Sequence, residues 1–249
     1  MTTFSVIATP IGNLEDITLR ALSVLRVADL VLCEDTRVTK RLLDRHDIHV
    51  RTKSYHMHSE LSRVEEIIGL LKDSTIEPLK EGTIRNIVLV SDAGTPGISD
   101  PGSELVGRIR DQLKEEIESG LVKIEAIPGA SALTAALSIA GVPCADFTFL
   151  GFLPHKKGRQ TLFKEIAGSE RTMVFYESPH RIMKTLEQLK DSTIQPLNEG
   201  TIEKRITICR ELTKIFEEVV SGTAEEVERY FITHSDKVRG EFVVIVSVN

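Results

Sequence analysis

Ile87-Val88-Leu89-Val90-Ser91-Asp92-Ala93-Gly94-Thr95-Pro96-Gly97-Ile98-Ser99-Asp100-Pro101-Gly102 carries the architectural signal of the chain. Its first four residues are apolar without alternation, the pattern of a strand covered on both faces, as in a parallel sheet. The run enters a loop in which Gly94, Pro96, Gly97 and Pro101 turn the backbone sharply and let it approach a ligand without Cβ atoms in the way. Open α/β sheets bind their ligands beyond such strand ends.

Working outward, strands and helices alternate. Residues 4–8 read as a strand, 17–28 as a helix, 30–33 as a strand and 64–72 as a helix; then follow a helix over 103–118, a strand at 123–127 and a small-residue helix over 130–139. This order predicts an α/β domain with a mostly parallel sheet. Two more strands end in turn residues, one in Thr9-Pro10-Ile11-Gly12-Asn13 and one in Pro128-Gly129-Ala130-Ser131-Ala132. Neither a Gly-x-Gly-x-x-Gly fingerprint nor a Walker loop occurs, so a dinucleotide or a nucleoside triphosphate is not the indicated ligand.

The turn residues between 140 and 147 break the last of these helices and mark the expected boundary, with an N-terminal α/β domain over 1–141 and a C-terminal one over 142–249. In the second half, strands are expected at 148–152, 172–176, 206–210, 217–221 and 242–248, and helices at 160–166, 181–190 and 224–232. Two consecutive strands late in the chain suggest antiparallel pairing, hence a mixed sheet. A twelve-residue segment, Asp73-Ser74-Thr75-Ile76-Glu77-Pro78-Leu79-Lys80-Glu81-Gly82-Thr83-Ile84, recurs at 191–202 with ten positions unchanged. Its Pro and its Glu-Gly pair are loop signals, which favours a surface insertion in two helix-to-strand connections over a paired docking element.

With 249 residues, 41% of them hydrophobic, the chain can bury a sizeable core. A net charge of -6 argues against a global positive field for nucleic acid, so any such contact must use local basic patches. No basic leader precedes the first strand and no apolar run nears the ~20 residues that span a bilayer, so a soluble cytoplasmic protein without membrane contact is expected. Cys33, Cys144 and Cys209 are odd in number and far apart, which points to three small buried residues rather than a disulfide framework or zinc site. His56-Met57-His58 lacks a third ligand, and no metal is expected.

Candidate chemistry lies at strand ends. Glu34, Asp35, Glu177 and Glu211 stand beside Arg37, Arg181 or Arg210, and such clusters can orient a hydroxyl or take its proton, or serve as structural ion pairs. His155-Lys156-Lys157-Gly158-Arg159 offers three cations on a flexible loop, able to reach phosphates. Arg37, Lys40, Arg41 and Arg45 recur at helical spacing, either as a second basic face or as a solvated one.

Taken in chain order, the three glycine and proline loops together with Glu34-Asp35-Thr36-Arg37, Gly151-Phe152-Leu153-Pro154, Phe175-Tyr176-Glu177-Ser178-Pro179-His180-Arg181 and Arg210-Glu211-Leu212-Thr213-Lys214 resemble the tetrapyrrole methylase superfamily. Within it they are similar to the branch that 2′-O-methylates a cytidine of small-subunit (16S) ribosomal RNA. The resemblance implies two α/β domains with S-adenosylmethionine in a cleft between them. Gly94-Thr95-Pro96 would lie against the cofactor with Ile98 just beyond, and Thr95 replaces an Asp common in relatives, so a hydroxyl or backbone contact must serve. Pro10, Asp92 and Pro128 would border the pocket, Ser131 and Ala132 would belong to the next matching loop, and Tyr176 would form a wall from the second domain. With that activity in view, the residue clusters above give Glu34, Asp35, Arg37, Glu177, Arg210 and Glu211 as catalytic candidates and Lys156, Lys157 and Arg159 as the RNA contact, while the resemblance implies the small ribosomal subunit as partner and a homodimer. Many relatives continue past the last strand with a helical segment, so here RNA binding is expected to manage without it. A precorrin-type tetrapyrrole C-methyltransferase is the alternative within the same superfamily, because fold alone does not choose the substrate.

Overall fold

The computed structural model describes residues 1–55, 61–73, 75, 83–193 and 204–248. The chain divides into two compact units, Met1–Ser131 and Ala132–Asn249.

In the first unit β1 (Thr2–Ile7), β2 (Leu30–Cys33), β3 (Arg51–Ser54), β4 (Asn86–Val90) and β5 (Val122–Ile127) form one sheet in the order β3-β2-β4-β1-β5. Every neighbouring pair is parallel. Between the strands run α1 (Leu19–Arg26), α2 (Thr36–Arg45), α3 (Leu61–Asp73), α4 (Gly102–Gln112) and the short α5 (Lys114–Glu118). The unbroken apolar strands have a direct cause. Phe4, Leu30, Leu32, Ile87 and Leu89 pack with Val64, Ile67 and Leu71 of α3 and Leu105 and Ile109 of α4. Their neighbours Ile7, Val31, Cys33, Val88 and Val90 point the other way, onto Leu22 and Leu25 of α1 and Leu43 of α2. Thr18 caps α1 through the Ala21 N–H, and Asp35 caps α2 through the Arg37 N–H.

The second unit holds β6 (Phe147–Phe152), β7 (Thr172–Glu177), β8 (Lys204–Arg210), β9 (Glu218–Gly222) and β10 (Phe242–Val248), in the order β6-β7-β10-β8-β9. The β6–β7 pair is parallel and the other three are antiparallel, so the sheet is mixed. Helices α7 (Arg159–Gly168), α8 (Ile182–Thr193) and α9 (Ala224–Thr233) set Phe163, Ile182, Leu186, Val227 and Phe231 against Phe175, Ile208, Phe242 and Val244. A capping box between Thr223 and Glu226 starts α9.

The second compact unit opens on α6 (Ala132–Ala140). The buried stripe Ala136, Leu137 and Ala140 needs apolar cover, which β8 and β10 supply; Cys209 Sγ lies 3.8 Å from the Ala136 carbonyl. The turn at 140–147 is therefore internal to the second unit, where Thr172 Oγ1 donates to the Pro143 carbonyl at 2.6 Å. Cys33 and Cys209 are buried, but Cys144, in that turn, is exposed, which corrects the expectation of three buried cysteines. Burial pushes the Cys209 thiol up to about 12, so it stays protonated and inert. Most of both copies of the duplicated segment, and His56-Met57-His58, lie outside the described residues. Among the described residues no helix is long and apolar enough to cross a membrane.

Candidate functional site

Adjacent strands β1 and β4 send the chain in opposite directions, β1 toward β2 and β4 toward β5, which creates a topological switch point at their carboxyl ends. The loops that leave this point are tied to one another. Thr9 N–H donates to the Gly94 carbonyl at 2.9 Å and Gly94 N–H returns the bond at 3.1 Å. Thr9 Oγ1 donates to the Ser91 carbonyl at 3.1 Å, and Thr95 Oγ1 donates to the Ala130 carbonyl at 3.1 Å. A Cβ on Gly129 would stand 3.1 Å from that of Ala8, and one on Gly94, whose φ is 82°, would stand 3.3 Å from Ile11 Cγ2. These glycines are thus required first for the loops to pack on each other, and the open backbone they present to a ligand follows from that. Asp100 Oδ1 closes the turn by accepting from Gly97 N–H at 2.8 Å and Gly102 N–H at 2.7 Å.

The end of β2 joins the same group. Asp92 Oδ1 accepts from Asp35 N–H at 2.9 Å, and Glu34 Oε1 accepts from Asp92 N–H at 3.3 Å. Two consecutive carboxyl groups therefore acquire opposite characters. Burial raises the Glu34 carboxyl above its ordinary value, and the charges of Asp100 and Asp92 push the same way. Asp35 is drawn down to about 2 by the Arg37 guanidinium, whose Nη2 lies 2.6 Å from Oδ2, and by the Arg37 N–H that it caps. Glu34 is thus the weaker acid of the two, whereas Asp35 fastens a helix and holds Arg37. Around these groups Pro10 and Pro96 are buried, while Asp92, Ile98 and Pro128 face solvent.

Other expected site residues sit in the second unit. Tyr176 on β7 packs edge-on against Phe149 at 5.0 Å and Phe152 at 5.5 Å, and burial raises its hydroxyl. Ala132 opens α6. Glu177 is 2% exposed and fully committed. Its Oε1 accepts from Arg181 Nε at 2.7 Å and Ser178 N–H at 2.9 Å, while Oε2 accepts from Thr185 Oγ1 at 2.7 Å with Arg159 Nη2 at 3.6 Å. The two arginines also hold the preceding loop, Arg159 Nη1 donating to the Pro154 carbonyl at 3.2 Å and Arg181 Nη1 to the Leu153 carbonyl at 2.8 Å.

Arg159 is accordingly not a loop cation. It is 5% exposed at the first position of α7, stacked on Phe163 and bonded to Gln188 and Thr185. Its burial with Phe163 and Ile166 on one helical face is the signal that could have revealed it, since residues four and seven positions apart share a stripe. Lys156 and Lys157 remain exposed on the loop it anchors. Arg210 is buried too, donating to the carbonyls of Phe216 and Arg239 beside Glu218. Glu211 accepts from Lys214 Nζ at 2.8 Å and Glu241 N–H at 3.0 Å. Among the described residues no group of three or more His, Cys, Asp or Glu is placed to hold a metal ion.

Comparison with known proteins identifies the family. Residues 3–228 match the family described as tetrapyrrole (corrin/porphyrin) methylases. A Halalkalibacterium halodurans protein named ribosomal RNA small subunit methyltransferase I is 43% identical over 248 residues, 99% of this chain and 76% of that one. The Thermotoga maritima protein of the same name is 38% identical over 97% of this chain and 96% of its own. The crystal structure of uroporphyrin-III C-methyl transferase from Thermus thermophilus, complexed with S-adenyl homocysteine, superposes with a TM-score of 0.59 at 18% identity, covering 99% of this chain and 97% of that one. That last likeness concerns the fold, whereas the first three carry descent: the chain belongs to the tetrapyrrole methylase family, in the branch of the small-subunit ribosomal RNA methyltransferases I.

Proposed function

We propose that the protein transfers a methyl group from S-adenosylmethionine to the 2′-hydroxyl of a cytidine in small-subunit (16S) ribosomal RNA, in the cytoplasm. The observation that carries this reading is the near full-length identity with proteins named for ribosomal RNA methylation, 43% in the first of them. The tetrapyrrole enzymes share only the fold at this level of similarity, and no feature of the site favours a corrin substrate over RNA.

The loops at the switch point fit the cofactor by chemistry. Asp92 has one oxygen taken by Asp35 N–H and is otherwise exposed, so it offers an acceptor for a ribose hydroxyl or an ammonium group. Gly94, Thr95, Pro96 and Ile98, with Pro10, Pro128 and Ser131, supply the closely tied backbone against which a flat, elongated molecule lies. Ala132 and Tyr176 lie in the second unit, at the start of α6 and on β7. S-adenosylmethionine when bound supplies the activated methyl group, so the protein's own work is alignment of the acceptor oxygen and exclusion of water. Glu34 is assigned the proton of the ribose hydroxyl, because its raised carboxyl is the better base at a strand end where Asp35 is too acidic to act. Arg37 stays with Asp35, and Glu177, Arg210 and Glu211 act as structural ties.

Lys156 and Lys157 are assigned the RNA phosphates. The test is tritium transfer from labelled S-adenosylmethionine to purified small subunits, with mapping of the labelled nucleotide. We expect label on one cytidine ribose, and label on a base or on precorrin supplied in parallel would overturn the assignment. Changing both lysines to Ala should flatten the salt dependence of subunit binding by roughly 1.5 to 2 units of slope while leaving cofactor affinity within about twofold.

A homodimer completes the proposal, supported by the large apolar side chains Leu19 and Val27, 83% and 63% exposed at either end of α1. Light scattering should report twice the monomer mass at micromolar concentration, and the monomer mass throughout that range would exclude it.

A further inference from the structure

The turn between β8 and β9 carries features that neither the cofactor loops nor the lysine loop explain. Phe216 is 56% exposed, although a free ring costs hydration, and Ile215 beside it is 91% exposed. The exposed Arg239 guanidinium stands over the Phe216 ring, 5.7 Å from its centroid, and has no carboxylate partner among the described residues. The arrangement is held from beneath. Buried Arg210 donates to the Phe216 carbonyl at 3.2 Å and the Arg239 carbonyl at 3.4 Å, joining two segments far apart in sequence. Glu211 and Thr213 adopt φ of 51° and 66°, a left-handed conformation that side-chain-bearing residues seldom take. Gly240, with φ of 87°, leaves the space that the Glu211 carboxylate occupies. A buried clamp and two strained residues thus fix one aromatic ring and one uncommitted cation side by side in solvent.

We propose that Phe216 and Arg239 form a platform on which an unpaired base of the substrate RNA stacks. The inference rests on the assignment of ribosomal RNA as substrate and adds a contact surface in the second unit. A ring with an adjacent guanidinium matches a nucleobase bearing a phosphate, because every base has a π-face and the cation meets its backbone. The other charged groups around the turn are engaged: Lys214 is taken by Glu211 and Glu241, Lys237 by Glu218, and the exposed Glu217 accepts from Thr213 N–H. The platform therefore contributes stacking more than a general field.

The test compares Phe216→Ala, Phe216→Leu, Phe216→Trp and Arg239→Gln in the full chain. Binding is read by anisotropy of a fluorescein-labelled ten-nucleotide single-stranded RNA, and turnover by methyl transfer to small subunits. Phe216→Ala should weaken oligonucleotide binding and raise the KM for subunits about tenfold, with kcat, melting temperature and cofactor affinity unchanged. Trp should restore binding to within about threefold and Leu should not. Arg239→Gln should lower the salt slope by about one unit, whereas Phe216→Ala leaves it unaltered. Equal rescue by Leu, unchanged binding in Phe216→Ala, or a change in its mass by light scattering would overturn the platform, the last making the turn a contact between copies. If the wild-type protein bound the oligonucleotide through Phe216 yet methylated no subunit, the substrate assignment would fail and the platform would stand.

Discussion

Glu177→Ala should destabilise the protein by about 3–5 kcal/mol, the usual consequence of removing one member of a buried ionic group. The carboxylate has no exposed surface of its own, and its loss leaves the Arg159 and Arg181 guanidinium groups, with side chains 6% and 16% exposed, without their counter-charge. Neither can turn to water without releasing the Pro154 and Leu153 carbonyls that it holds. Urea unfolding measures the loss directly. The same substitution should loosen the loop bearing Lys156 and Lys157, so the salt dependence of subunit binding should flatten toward that of the double lysine variant. A change in stability below 1 kcal/mol would mean that the arginines reach solvent on their own.

Glu34→Gln should lower kcat for methyl transfer by about 10²–10⁴-fold, the range attributed to a positioned general base, with cofactor affinity nearly unchanged. Because burial and the charges of Asp100 and Asp92 raise the wild-type carboxyl, activity should fall as pH drops through a value above the ordinary 4.5. Stability has the opposite sign. A carboxyl whose folded value is raised favours the folded state below its unfolded value, and that contribution is lost as pH rises through the folded value. At neutral pH the variant should therefore be no less stable than the wild type. Retention of kcat would remove Glu34 from the mechanism, and a lowered melting temperature would show that its carboxylate is a structural tie.

The loops at the ends of β1, β4 and β5 were legible because glycine and proline after an apolar run have few meanings, and because both faces of Ile87-Val88-Leu89-Val90 had to be covered. β3 was not legible. Arg51-Thr52-Lys53-Ser54 is polar, and as the outermost strand of the sheet it is defined by its parallel pairing with β2, a contact that no local pattern records. The role of Arg159 was hidden by its neighbours. In His155-Lys156-Lys157-Gly158-Arg159 the last cation looks like the others until α7 is known to begin there, which turns its side chain inward toward a carboxylate 18 positions later in the chain. The contrast between Glu34 and Asp35 was equally out of reach, since it depends first on the burial of Glu34, with Asp92 and Asp100 adding to it, and on the hydrogen bonds by which Arg37 holds Asp35.

The placement of β10 bears on how the molecule is made. It lies between β7 and β8 at the centre of the second sheet, although it is synthesised after both of them. The first unit has all five of its strands once Ile127 has emerged and can fold while translation continues, for a period on the order of ten seconds. During that time β7 and β8 lack the strand that joins them, and their apolar edges are open to wrong partners. Truncation before β10 would therefore leave two half-sheets, β6-β7 and β8-β9, instead of a shortened domain.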